Sequence, residues 1–238
     1  IKFDLILKII LTFLTEIKWI MNKNFKCVVF DLDGTLIDSG PDLLDSLNFV
    51  LKENKLSEID RKVIGNLVGG GAEAMIRKGY AFLKENLDEK LIPKLIKIFL
   101  QHYELNCTNK TKLYPNVMEI LYFLKAKRIK VCICTNKKQF LAEKIIQNLA
   151  LNKYFDLIIG SQKSLKLKPH TDMLKKCVSN LKVLFSETIF VGDSEKDVIP
   201  ANKLVITSFF VDYGYGKIDE SVKAKVHTSN ILELKKFF

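Results

Sequence analysis

Residues 27–40 read CVVFDLDGTLIDSG, and the fold turns on how this stretch is read. Cys27 to Phe30 is an unbroken apolar run with β-branched residues at Val28 and Val29 and no polar residue on either alternating side. A strand with both faces buried looks like this, and such strands belong to parallel sheets covered by helices. The run stops at Asp31 and Asp33, two carboxylates in close succession, with Gly34 next. Like charges this close raise each other's pKa unless something cationic lies between them. The strand therefore predicts a site that collects positive charge at its carboxyl end.

Working outward, four more runs of the same kind follow: KVCICT (130–135), FDLIIG (155–160), TIFVGD (188–193) and ITSFFV (206–211). Helical patterns lie between them over 115–125, 139–149 and 171–181. Strands alternating with helices of this length predict βαβ units, hence an α/β fold: a Rossmann-like parallel sheet core with helices on both faces. The interval from Asp38 to Leu113 breaks the alternation and reads as helices only. Pro41 opens PDLLDSLNFVLKEN, where Leu43, Leu44, Leu47 and Leu51 fall at helical spacing. Ser57 and Asp60 have the spacing of a capping box before a second helix. Gly69 to Gly71 interrupt the pattern, and Asp88 leads into EKLIPKLIKIFLQHYEL, where Pro93 either occupies the first turn or kinks the helix. About 75 residues are enough for a small domain of their own. The predicted division is a core of 21–37 and 115–238 and a helical cap over 38–114, inserted after the first strand.

The formal charge of +11 is the one unusual global property of the 238-residue chain. Its lysines are scattered, often in pairs such as Lys137-Lys138, Lys175-Lys176 and Lys235-Lys236, which read as solvated surface. No nucleic-acid-binding motif accompanies them, so neither nucleic acid nor a membrane is the expected partner, though a positive field attracts anionic small molecules. The five cysteines are odd in number and form no CxxC pair, which points to a reducing, cytoplasmic compartment. Cys132 and Cys134 alternate with Ile133 and are expected to pack on one face. The three histidines show no ligand spacing with cysteines, so no zinc site is expected, and His102 and His170 read as structural. Residues 1–20 are apolar but carry Lys2, Asp4, Lys8, Glu16 and Lys18, leaving no stretch long enough to span a bilayer. They lack a signal peptide's small-residue cleavage site. The expectation is an extension that is not native, with the start at Met21; the alternative is an amphipathic surface helix. A monomer or homodimer is expected.

In open parallel sheets, ligands collect beyond the carboxyl ends of the strands. Polar residues of particular kinds stand there: Asp31 and Asp33 after the first, Thr135 and Asn136 after the second, Lys168-Pro169 beyond the third, and Asp193 and Asp197 after the fourth. Several carboxylates on one rim suit a hard cation with oxygen ligands, above all Mg²⁺, which also answers the repulsion between the acids. A lysine, a threonine hydroxyl and free backbone N–H groups near Gly34 and Asn136 suit the oxygens of a phosphoryl group. The implied chemistry is phosphoryl transfer with a carboxylate as nucleophile. Asp-x-Asp-Gly on its own also fits a solvated turn or one edge of a calcium loop, but no acid follows Gly34 at the spacing that loop needs.

DLDGTLIDS resembles the opening motif of the haloacid dehalogenase-like hydrolases, and CICTN, KLKPH and VGDSEKD resemble their second, third and fourth motifs in the same order. The resemblance covers Met21 to the C-terminus, and the helical insert is similar to the family's small helical cap. Within the family, LVGGGAEAMI, LYPNV, CTNK, FDLIIG, KPHTDML and DYGYG resemble the wording of the bacterial phosphoglycolate phosphatases. The resemblance implies that Asp31 attacks phosphorus and forms an aspartyl-phosphate, while Asp33 protonates the leaving alkoxide and then activates water. It implies Mg²⁺ held by the Asp31 carboxylate, the Asp33 carbonyl and Asp193, with Asp197 behind them, and Thr135, Asn136 and Lys168 on the substrate side. The second Asp implies a phosphate ester, because a halide leaves without a proton. The implied substrate is a small phosphate ester, 2-phosphoglycolate first. The alternatives are a phosphatase of sugar phosphates, nucleotides or pyrophosphate, or a phosphomutase. A non-enzymatic binding module predicts the loss of a catalytic residue, and none is missing. Closure of the cap excludes water, with Gly69 to Gly71, Arg77 and Lys78 the expected contacts for a substrate carboxylate. The chain departs from the group's pattern at Val205, where a Gly is usual, at Asp212, where a Thr-like residue precedes YGYG, and at Thr171, where Pro is frequent.

Overall fold

The structure, a computed structural model, describes residues 24–238. The expectations about residues 1–20 and a start at Met21 lie outside the described residues. The sheet strands are β1 (Cys27–Phe30), β4 (Lys130–Lys138), β5 (Leu157–Ser161), β6 (Thr188–Gly192), β7 (Thr207–Val211) and β8 (Val226–Thr228). They stand in the order β5-β4-β1-β6-β7-β8, every neighbouring pair parallel. Val28 lies between Val131 and Ile189, so the strand that opened the sequence argument is the centre of the sheet. On one side of β1 the strands follow chain order outward to β5, and on the other from β6 to β8. The reversal between β1 and β6 is the topological switch point at which doubly wound sheets open a crevice.

All four side chains of β1 are buried, alternately on the two faces. Val28 and Phe30 join Ile120 and Leu124 of α5 (Val117–Ala126) and Ile145 of α6 (Gln139–Asn148). Cys27 and Val29 join Met173 and Cys177 of α7 (Asp172–Leu181) and Ala201 of α8 (Glu195–Lys203). Each fully buried Val or Phe contributes roughly 1.5–3 kcal/mol. The predicted helices on both faces are present. Cys132 and Cys134 share the face with Cys27 and Cys177, as their alternation implies, and all five cysteines are buried free thiols. The short edge strand β8 was not predicted. Among the described residues, no helix is long and apolar enough to cross a membrane.

The insert comprises α1 (Gly40–Glu53), α2 (Ile64–Leu67), α3 (Gly71–Leu83) and α4 (Ile92–Asn106). Leu44, Leu47 and Leu51 of α1 form one apolar cluster with Met75 and Ile76 of α3 and Leu95 and Phe99 of α4. Pro93 occupies the first turn of α4, where its missing N–H has no partner to lose. The Ser57–Asp60 box does not form. Instead Asp60 alone caps a short 3-10 turn by accepting from Lys62 N. The chain passes into the insert through β2 (Ile37–Asp38) and back through β3 (Lys112–Leu113), which pair antiparallel. The buried Asp42 carboxylate accepts from Lys110 N at 2.9 Å, Thr111 N at 2.8 Å and Thr111 Oγ1 at 2.7 Å, and so clamps the first turn of α1 to the returning chain.

Val205 adopts φ +58 and is 75% exposed. Its position, where the resembling group carries Gly, is left-handed, and a β-branched residue there is strained. The left-handed region costs an L-residue about 1–2 kcal/mol, partly offset in a Gly variant by about 0.5–1 kcal/mol of chain entropy. Val205→Gly is therefore expected to raise Tm by about 2–4 °C at this chain length, measured by calorimetry. An unchanged or lower Tm would show that the strain is absorbed locally.

Candidate active site

The carboxyl ends of β1, β4 and β6 open into a cleft of about 1270 Å³ lined by Asp31, Asp33, Thr135, Asn136, Lys168 and Asp193. Asp197 also lines it. All the residues predicted from the strand ends therefore meet in one place. The register of β4 shifts between Cys134 and Lys138, an irregularity at which Thr135, Asn136 and Lys137 line the cleft before the strand pairs again at Lys138.

Lys168, almost completely buried, is the hub. Its Nζ donates to Cys134 O at 2.7 Å and to Asp197 Oδ1 at 2.6 Å, and it lies 2.8 Å from Asp31 Oδ1. The last contact is an ion pair without hydrogen-bond alignment, so Asp31 Oδ1 is buried with no hydrogen bond directed at it. Burial opposes the lysine's charge, but Asp197 and Asp31 outweigh it and hold the pKa well above the usual range. Its main chain is fixed by Asn136, whose amide donates to Lys168 O and accepts from Lys168 N, both at 2.9 Å. Thr135, also buried, accepts from Lys137 N at 3.2 Å through Oγ1.

Three carboxylates, from Asp31, Asp193 and Asp197, have ligand atoms within 4.8 Å of one another, and two of them, Asp31 and Asp197, pair with this one ammonium. Asp31 is raised to about 6: burial is the main cause, Asp197 and Asp33 add to it, and Lys168 works against it. Asp193 is raised to about 7, first by burial and then by the charges of Asp197 and Asp31. The acids outnumber the cation, and Asp31 Oδ1 is buried without a hydrogen bond. This donor set, hard oxygens only, fits a small divalent cation.

The glycine after the acids is a steric requirement. Gly34 has φ +86, and a Cβ there would stand 2.2 Å from Asp193 Oδ2. That same oxygen accepts from Tyr215 N and Gly216 N, both at 2.9 Å. Tyr215 Oη in turn donates to Asp38 and accepts from Gly40 N at 2.7 Å. The DYGYG loop thus ties Asp193 to the point where the chain enters the insert.

Two expectations are corrected. Lys137, read as half of a solvated lysine pair, has a buried side chain: its Nζ lies 2.9 Å from Asp33 Oδ2 and donates to Tyr103 Oη at 3.0 Å. Burial acts against its charge, and Asp33 and Tyr103 more than compensate, raising its pKa. Arg77, considered for a substrate carboxylate, instead pairs on the outer surface with Glu73 at 3.0 Å and Glu89 at 2.6 Å. Lys78 does line the cleft, as do Gly69 to Gly71. Ser39, Tyr103 and Tyr215 escaped the sequence reading. The one local signal among them was the tyrosine in DYGYG.

Carboxylates gathered round a buried lysine at the switch point of a doubly wound sheet, beneath a helical insert, are the equipment of a phosphoric monoester hydrolase. Residues 28–211 match the family described as haloacid dehalogenase-like hydrolase. A phosphoglycolate phosphatase of Colwellia psychrerythraea is 35% identical over 79% of this chain and 84% of its own length. One from Chromobacterium violaceum is 31% identical over 89% and 96%. The crystal structure of a predicted phosphoglycolate phosphatase from Haemophilus somnus superimposes with a TM-score of 0.82 at 27% identity, covering 90% of this chain and 98% of that one. The chain belongs to the haloacid dehalogenase-like hydrolase family.

Proposed function

We propose that this protein is a Mg²⁺-dependent phosphatase that hydrolyses 2-phosphoglycolate through an aspartyl-phosphate on Asp31. The observation that carries the chemistry is the Asp31 carboxylate itself, which lines the cleft with its Oδ1 held 2.8 Å from Lys168 and part of its side chain still exposed. A carboxylate so placed can attack phosphorus from the floor of the cleft through its exposed oxygen. The P–O bond to the organic group then breaks, and Asp33 gives its proton to the departing alkoxide. Water next attacks the phosphorus of the aspartyl-phosphate while Asp33 takes a proton from it. Inorganic phosphate leaves and Asp31 is regenerated. Two of the Lys168 protons are committed to Cys134 O and Asp197, so the third, beside Asp31, is the one available to a phosphoryl oxygen, with the Thr135 hydroxyl as second donor. The Asp31 carboxylate, the Asp33 carbonyl and Asp193 would hold Mg²⁺, which when bound neutralises developing negative charge as a Lewis acid. Residues 38–114 serve as the cap.

The substrate is inferred from the relatives named phosphoglycolate phosphatase and supported by Lys78, a cation on the roof of the cleft suited to a carboxylate. One paired experiment tests both parts. Mg²⁺ at about a hundred times its Kd stabilises by about 2.7 kcal/mol, which at this length raises Tm by roughly 5–10 °C, and Asp193→Asn should remove that shift. No shift in the parent protein overturns the metal assignment. With Mg²⁺ present, kcat/KM for 2-phosphoglycolate should exceed that for sugar phosphates, nucleoside monophosphates and pyrophosphate by at least about tenfold. A flat profile overturns the substrate and leaves the mechanism standing.

A further inference from the structure

Asp33 is gripped at both oxygens. Oδ1 accepts from Ser39 Oγ at 2.5 Å, and Oδ2 faces Lys137 Nζ at 2.9 Å. Ser39 is the residue that precedes α1, and Lys137 lies at the end of β4. Lys137 then donates to the hydroxyl of Tyr103, a residue of α4 with only 1% of its surface exposed. A continuous line of contacts therefore runs from an insert helix, through a core strand, to the carboxyl assigned above as proton donor.

The line is held tightly by the cost of burial. The Lys137 side chain is 6% exposed, and among the described residues Asp33 is the only carboxylate within ion-pair distance of it. A buried ammonium with one carboxylate and one phenol depends on both, because a buried donor that loses its acceptor is left with its desolvation cost. Tyr103 is equally committed: burial and the fixed contact with Lys137 leave its hydroxyl no solvent to turn to. Without the Tyr103 hydroxyl, Lys137 is free to swing towards other acceptors in the cleft, and Oδ2 of Asp33 loses its fixed partner. Proton transfer needs the donor aligned with the leaving oxygen to within a hydrogen bond, so a small rotation of this carboxyl is enough to slow it.

We propose that Lys137 is the positioning residue for Asp33 and that Tyr103 holds it in place, so that α4 of the insert sets the direction of the proton-donating carboxyl. This rests on the reading of Asp33 as general acid.

The leaving group separates positioning from a merely structural role. An alkoxide must be protonated as it departs, whereas para-nitrophenolate departs without help. The measurement is release of the leaving group in the first turnover, before water attacks the aspartyl-phosphate. It compares the best alkyl ester of the substrate panel with para-nitrophenyl phosphate. Tyr103→Phe keeps the ring and its packing against Phe99. It is expected to slow alcohol release about tenfold, and Lys137→Met about a hundredfold, while nitrophenolate release changes by no more than about twofold. Lys137→Arg, which retains a cation, should recover part of the alkyl rate. Equal losses on both esters, or no loss on the alkyl ester, overturn the inference. Asp33→Asn measured alongside assigns the failure. If it also treats the two esters alike, the general-acid reading falls. If it discriminates between them and the Tyr103 and Lys137 variants do not, the positioning role alone falls.

Discussion

Asp31→Asn is expected to lower kcat by more than about 10⁴-fold while leaving the metal-free protein at least as stable as the parent. The amide has the same shape as the carboxylate but cannot attack phosphorus, so the first chemical step loses its nucleophile. Stability moves the other way because burial already works against a charge at this position, pushing Asp31 up to about 6. Lys168 is not stranded by the change, since it keeps Asp197 Oδ1 at 2.6 Å and Cys134 O at 2.7 Å. Saturating 2-phosphoglycolate and a thermal melt without metal measure the two halves. Substantial residual turnover would remove Asp31 from the role of nucleophile. A Tm several degrees lower would show that its ion pair with Lys168 outweighs the burial cost.

Lys168→Met is expected to damage both properties. The ammonium pairs with Asp31 and Asp197, whose ligand atoms lie within 4.8 Å of each other and of Asp193. Removing one partner from a buried charge cluster costs about 3–5 kcal/mol, because the remaining charges are left uncompensated. Cys134 O loses its donor as well. The catalytic loss is expected at about 10²–10³ in kcat, the usual effect of deleting one group that stabilises transition-state charge. Urea denaturation and steady-state kinetics read the two losses. Mg²⁺ should restore part of the lost stability, since it supplies positive charge to the same acids, without restoring the rate. Recovery of the rate as well would show that the lysine acts through charge alone and makes no directed contact with the phosphoryl group.

What could be foreseen in the sequence follows the range of the forces involved. The central strand was legible because β1 is buried on both faces and its four residues say so directly. Asp31, Asp33, Thr135 and Asp193 were legible because each stands next to such a run, so placing the strands placed most of the site; Lys168, seven residues past the end of β5, was legible only through the KLKPH wording. The β8 strand was not, because Val-His-Thr alternates too briefly to carry a pattern and is recruited by its neighbour β7. Ser57 with Asp60 had the spacing of a cap, but the turn begins three residues later than that spacing implies, with Asp60 itself as its cap. Lys137 and Tyr103 were hidden for a different reason. Each reads locally as ordinary, one as a surface lysine and the other as part of an apolar helix face, and their meaning arises only when α4 is laid against the end of β4. Asp42 is similar: an acid in the first turn of a helix is common, and its grip on Thr111 is a contact across the whole insert.

The position of β1 at the centre of the sheet has a consequence for how the molecule comes into being. Cys27 pairs with Lys130 on one side and Thr188 on the other, so the first core strand to be made is completed only by segments that appear far later in the chain. At ~5–20 residues per second, roughly 8–30 seconds of synthesis separate CVVF from its second neighbour. For about the first 5–20 seconds of that interval, until β4 is made, the apolar run has no native partner, while the insert helices, whose contacts are closer in sequence, can already assemble. The nascent chain is therefore expected to present a folded helical bundle beside a naked sheet strand, which makes β1 the natural place for a chaperone to bind and the insert the first part of the protein to resist a protease.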